Sequence, residues 1–229
     1  MRALSATELL GAWERGLGQP RLQQALTLLA AAYPEVPPEA LANLSIGQRD
    51  ARLMELRELT FGANFTGLAN CPACNETVEL AFDTSAVRPA EAMETPAELD
   101  AEVEGRKLHF RLPTSADLFA VTTRDQLLDR CLLGGRDQLP DQAIDSVIAQ
   151  MARADPLADI QLALHCASCG HQWEANFDIV TFLWSEINAA ARNLLRGIHA
   201  LASAYGWSEA DILALNPARR RLYLEMVNR

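Results

Sequence analysis

The sequence predicts an α+β protein, mainly helical, in which a small antiparallel β part is split by a helical insertion and followed by a C-terminal helical tail. Three observations predict it. Apolar residues recur at helical spacing at both ends of the 229-residue chain. In the middle the period shifts from 3.6 to two. And one short phrase is written twice, "CPACNETVELAF" from Cys71 and "CASCGHQWEANF" from Cys166, each a Cys-x-x-Cys pair running into an alternating segment.

Residues 1–60 read as an N-terminal helical region. In "SATELLGAWERGL" Ser5 and Glu8 form a capping box, and Leu9, Leu10, Trp13 and Leu17 follow at helical spacing. "PRLQQALTLLAAAYP" is a second helix ending before Pro34, and "PEVPPEALANL" reads as a turn-rich connector. A third helix, "SIGQRDARLMELRELTFG", opens with a Ser45–Gln48 box and stops at Gly62.

Residues 61–112 hold the first half of the β part. Val78, Leu80 and Phe82 alternate with polar neighbours, and so do Leu108, Phe110 and Leu112. The acidic stretch between them, "SAVRPAEAMETPAELDAEVEG", reads as a loop or mobile excursion. Residues 113–156 read as a helical insertion. One helical block starts at Thr114 or Ser115 and runs through Leu132. After the "GGRDQLP" loop, a shorter helix carries Ile144, Val147, Ile148 and Met151. Residues 157–178 are the second half, with strands "DIQLALH" and "QWEANF". Residues 179–229 form the tail. It has a long helix striped by Leu183, Ile187, Ala190, Leu194, Ile198 and Leu201 and ended by Gly206, a short helix capped by Ser208 and Asp211, and a last one opening at Pro217.

Composition narrows the function. With 49% hydrophobic residues the chain can bury a core, and no run approaches the ~20 apolar residues that span a bilayer. The N-terminus shows no signal peptide, since Glu8 and Glu14 interrupt any apolar region, so a cytoplasmic protein is expected. The formal charge of -10 argues against nucleic-acid binding, which needs a basic surface to release counterions. Protein partners are expected instead.

Five cysteines in a cytosolic chain argue against a disulfide framework. Cys71, Cys74, Cys166 and Cys169 supply four thiolates, the tetrahedral set that zinc prefers. Asn75 and Gly170 follow the second Cys of each pair, where a metal knuckle favours positive φ. The pattern is that of a zinc ribbon with one structural zinc per chain. A compact ribbon separates its pairs by ~15–20 residues, so this one is split. His165 and His171 flank the second pair, but four cysteines already fill the shell, so His171 reads as a group outside it or at the surface, and Cys131, on an apolar helical stripe, reads as a core thiol. Two separate redox dithiols, or two pairs without metal, are the alternatives. A closed four-thiolate shell leaves no position for substrate, and no catalytic motif occurs elsewhere, so no enzyme and no catalytic residue are expected. Trp184, Tyr205 and Trp207 are candidate partner anchors or packing residues, and Arg219, Arg220 and Arg221 form a local basic cluster.

The strings "LSIGQRDARLMELRELTFGANFTGLANCPACNETVELAFD", "LPTSADL", "LALHCASCGHQWEANFDIVTFLWSEI" and "LLRGIHALASAYGWSEADILALNPARRRLYLEMV" resemble the baseplate hub assembly chaperone family of T-even-like phages and related contractile injection systems. The resemblance runs from about Leu44 to Val227. Its most specific elements are the two Cys pairs and the tail from Tyr205. It implies a non-enzymatic assembly factor or minor component of a contractile-tail baseplate, with baseplate hub or spike proteins as partners. The four cysteines match the zinc-ribbon positions of many members. A zinc-ribbon adaptor in transcription or RNA processing is the second reading.

Overall fold

The computed structural model describes residues 1–87, 98–103, 106–135 and 139–227. Helix α1 (Ala6–Gly16) starts as expected: the Ser5 hydroxyl accepts from the Glu8 N–H, and the Glu8 carboxylate accepts from the Ser5 N–H. Helix α2 (Arg21–Ala32) follows. The expected connector contains a short helix, α3 (Pro38–Ala42). Its prolines look like turn residues, but Pro38 sits in the first helical turn, where its missing N–H costs nothing, and Leu41 is buried. Helix α4 (Ile46–Phe61) has both bonds of the Ser45–Gln48 box and ends at Gly62, whose φ of 98° suits only glycine.

Strand β1 (Asn64–Asn70) was not expected. It pairs antiparallel with β2 (Thr77–Asp83), so that Phe65 faces Phe82 and Gly67 faces Leu80. Its inward positions are Phe65, Gly67 and Ala69, which is too little apolar contrast to read as alternation. The stretch expected as an excursion begins in a helical turn, α5 (Thr84–Val87), and includes β3 (Glu98–Val103). Residues 88–97 and 104–105 lie outside the described residues. Strand β3 pairs with β4 (Arg106–Arg111), and its acids meet bases in register: Glu98 opposite Arg111, Asp100 opposite His109, Glu102 opposite Lys107. Cross-strand charge pairing of this kind lets an acidic segment join a hairpin.

The expected single helix after Thr114 is two, α6 (Ser115–Ala120) and α7 (Arg124–Cys131). Val121, Thr122 and Thr123 are consecutive β-branched residues, which crowd a helix. Val121 is extended, and the Thr123 hydroxyl accepts from the Gln126 N–H to start α7 afresh. Helix α8 (Asp141–Ala154) and a 3-10 turn, Pro156–Ala158, complete the insertion. Its Leu132 and Val147 form a small separate core with Phe110 of β4.

The insertion docks on the N-terminus of α4. The Ile46 N–H donates to the Pro113 carbonyl at 3.1 Å, and the Gly47 N–H to Asp155 Oδ2 at 2.9 Å. Only glycine fits at 47, since a Cβ there would stand 2.0 Å from Asp155 Oδ1.

Asp117 anchors the other end of this module. It is 1% exposed and accepts from Arg111, Arg130 and the Thr114 N–H. Burial opposes its ionisation, but the two guanidinium groups and Thr114 outweigh burial and hold the carboxyl well below the usual range. A depressed native pKa stabilises the fold above the unfolded value of about 3.9 and loses that contribution as pH falls towards the native pKa. Asp117→Asn is therefore expected to cost about 1–3 kcal/mol at neutral pH. In acid unfolding followed by circular dichroism, the gap to wild type should close below pH ~4. A gap that persists unchanged at pH 3 contradicts the linkage.

Strands β5 (Gln161–His165) and β6 (Gln172–Asn176) form a third antiparallel hairpin. The Asp178 carboxylate then accepts from the Val180 and Thr181 N–H groups and starts α9 (Ile179–Tyr205), which Gly206 ends at φ 67°. Helices α10 (Glu209–Ala214) and α11 (Pro217–Val227) finish the chain. The main core joins α1, α2, α4 and α9 through Leu9, Leu28, Leu53, Leu183 and Ile187. Trp184 lies so close over Gly16 that a Cβ there would approach its ring to 2.3 Å. Trp207 stacks on Tyr205 at 4.7 Å and meets Tyr223 edge-on at 4.9 Å, so the three candidate anchors pack against the protein itself. No described helix is long and apolar enough to cross a membrane.

Candidate metal centre

Each Cys-x-x-Cys pair forms the turn of a hairpin, and the two turns are built alike. In the first, the Cys71 N–H donates to the Glu76 carbonyl at 2.9 Å and the Asn75 N–H to the Cys71 carbonyl at 2.8 Å. In the second, the Cys166 N–H donates to the His171 carbonyl at 2.8 Å and the Gly170 N–H to the Cys166 carbonyl at 2.9 Å. Both turns need a left-handed residue after the second Cys, and Asn75 (φ 61°) and Gly170 (φ 75°) provide it. Asn is among the few non-glycine residues that tolerate this conformation, which is why the two sequences differ there.

The hairpins bring the four sulfurs of Cys71, Cys74, Cys166 and Cys169 within 4.8 Å of one another. Cys71 and Cys169 approach to 3.7 Å, as do Cys74 and Cys166. A zinc–sulfur distance of about 2.3 Å gives a tetrahedron with edges of about 3.8 Å, so these separations fit that ion. Both of these contacts run between hairpins, whereas a thioredoxin-type dithiol pairs within its own motif. Cys71 and Cys166 are buried, while Cys74 and Cys169 face solvent.

The protonation chemistry agrees with a cation site. At Cys71 burial opposes ionisation, but the N–H groups of Cys74 and Ala73 and the neighbouring thiols overcome it and lower the pKa to about 7. Cys74 accepts from the Glu76 N–H, yet the sulfurs of Cys169, Cys166 and Cys71 together with burial push it up to about 12. One thiolate forms readily and the next is resisted. Four can coexist only around a positive ion.

Among the described residues, no histidine joins the cluster. His171 stacks on Trp173 at 6.0 Å, and His165 is exposed at the end of β5. Cys131 stands apart, and burial raises its pKa to about 11, which fits an inert core thiol.

The support beneath the cysteines was not anticipated. Phe82 and Phe177 each lie eight residues beyond the second Cys of their pair, and they meet edge-on at 5.4 Å. Phe65 stacks on Phe82 at 4.9 Å, and the Arg57 guanidinium lies 4.1 Å over the Phe65 ring. Arg57 also pairs with Glu186 on α9 at 2.8 Å. The repeated phrase therefore meets itself at both ends, through sulfur at the tip and through phenylalanine at the base. The shared offset of the two Phe residues was a readable signal; Arg57 and Phe65 have no counterpart in the repeat.

A family model described as T4 bacteriophage base plate protein matches residues 7–133, more than half of the chain. The match takes in the first Cys pair and ends before the second. No curated protein and no solved structure matches the chain.

Proposed function

The chain belongs to the T4 bacteriophage base plate protein family, and from that premise we propose that it is a non-enzymatic assembly factor, or minor structural component, of the hub of a contractile-tail or injection-system baseplate. Its shape depends on one structural zinc held by Cys71, Cys74, Cys166 and Cys169. The family match from α1 to the end of α7 carries the reading. Two properties support its non-enzymatic part. Four cysteine sulfurs lie close enough to hold one ion, and around zinc they would complete a tetrahedral shell with no position left for water or substrate. They also sit on hairpins that bridge two distant parts of one chain, where a tie stabilises most. The protein acts in the cytoplasm of the producing cell, or stays in the particle, with hub or spike proteins as partners. Deleting the gene tests the role. Tube and sheath subunits should still be expressed while completed baseplates, counted by electron microscopy, are lost. Normal particles from the deletion strain would refute it.

A further inference from the structure

Charge is distributed unevenly along this chain. From Ile187 to Arg229 six arginines stand against three acids, Glu209, Asp211 and Glu225, whereas residues 1–186 hold 27 acids and 14 basic residues. Three of the six arginines, Arg219, Arg220 and Arg221, are consecutive on α11. No residue of α11 is buried. The helix leans on α9 along one side, with Leu224 over Gly197. Its other side leaves Leu222 54% and Met226 60% exposed, one helical turn apart, with Arg219 a turn before them. Arg220 Nη1 is shielded from water and has no hydrogen-bond partner among the described residues. On neighbouring α9, Arg192 and Arg196 bond to the neutral side chains of Asn188 and Asn193.

We propose that the outer face of α11 docks on an acidic surface of another baseplate protein, with Leu222 and Met226 as apolar anchors and Arg219 and Arg221 pairing with its carboxylates. This rests on the baseplate reading above. Complementary charge selects the partner, and the desolvated apolar centre supplies the affinity. A nucleic acid fits this face poorly. Its phosphates give Leu222 and Met226 nothing apolar to meet, and the chain as a whole, at -10, repels them. A second copy related by a two-fold axis fits no better, because the arginines would then face one another.

The test places the photo-crosslinking residue p-benzoylphenylalanine at Met226 in cells assembling baseplates. Crosslinked peptides are identified by mass spectrometry, and the experiment is repeated in an Arg219→Glu/Arg221→Glu background. The expected result is a crosslink to a different baseplate protein at a segment rich in Asp and Glu, lost on charge reversal together with completed baseplates. The melting temperature and metal content of the double variant should not change, since both side chains are exposed. Crosslinks confined to a second copy or to nucleic acid overturn the proposal. So does a double variant that restores baseplates to the deletion strain as well as wild type does. A deletion strain that makes normal particles defeats the baseplate reading itself. A deletion strain that fails and is rescued by the double variant defeats only the docking surface.

Discussion

Replacing Cys71 or Cys166 by Ser is expected to release the metal and lower the melting temperature by roughly 8–16 °C. The size follows from linkage. A ligand at about 1,000 times its Kd stabilises the state it binds by about 4 kcal/mol. In a chain of this length each kcal/mol moves the melting temperature by about 2–4 °C. These two cysteines are the buried half of the set, and their N–H groups close the two turns, so a hydroxyl there removes a ligand from the most enclosed side. The effect is amplified by what the tie spans. Cys74 and Cys166 are joined through the whole insertion, and without the tie the two hairpins still meet through the aromatic base beneath them. Elemental analysis of the wild type should give one zinc per chain, and a strong chelator should reproduce the melting curve of the variants. Cys131→Ala is the control: it should keep the metal, because its sulfur lies outside the cluster. Wild-type protein that contains no metal, and melts where Cys71→Ser melts, would sink the zinc reading.

Much of this site was legible because its signals are local. Cysteine spacing, the turn-compatible residues Asn75 and Gly170, and the strand that follows each pair lie within a dozen residues of one another, and each has a direct physical meaning. The capping boxes at Ser5 and Ser45 were readable for the same reason. The elements that escaped are those whose formation depends on distant partners. Strand β1 presents Gly67 and Ala69 inward, and it makes sense only opposite Leu80 and Val78 on β2. Strand β3 reads as an acidic loop until Arg111, His109 and Lys107 are set across from it. The attachment of the insertion depends on Gly47 and Asp155, 108 positions apart, a pairing no local pattern announces. Helix α3 and the break at Val121 went the other way. There the local signals were present, prolines in one case and β-branched residues in the other, and their balance was decided by Leu41 entering the core and by the Thr123 cap.

Phe65→Ala is expected to be the most damaging substitution away from the cysteines, at about 3–5 kcal/mol. The ring is fully buried where four elements converge: Phe82 stacks on it at 4.9 Å, Phe182 and Phe177 close its sides at 5.1 and 5.3 Å, and Arg57 caps its face. Its loss leaves a cavity that these neighbours cannot fill, because each is held elsewhere. Phe82 is fixed by its strand, Phe177 by the bond from its N–H to the Ile160 carbonyl, and Arg57 by Glu186 and the Gly62 carbonyl. Arg57 also loses the ring that covered its charge, worth about 1 kcal/mol in a partly desolvated pair. Phe177→Ala should cost less, since that ring is only half-buried. Denaturant unfolding of the two variants gives the comparison, and metal content gives the separation. The cysteine turns close through their own backbone bonds, so Phe65→Ala protein that folds at low temperature should still hold its zinc while melting early. Equal destabilisation by the two substitutions would show that the base of the hairpins is not centred on Phe65. Loss of zinc from folded Phe65→Ala would show that tip and base cannot form separately.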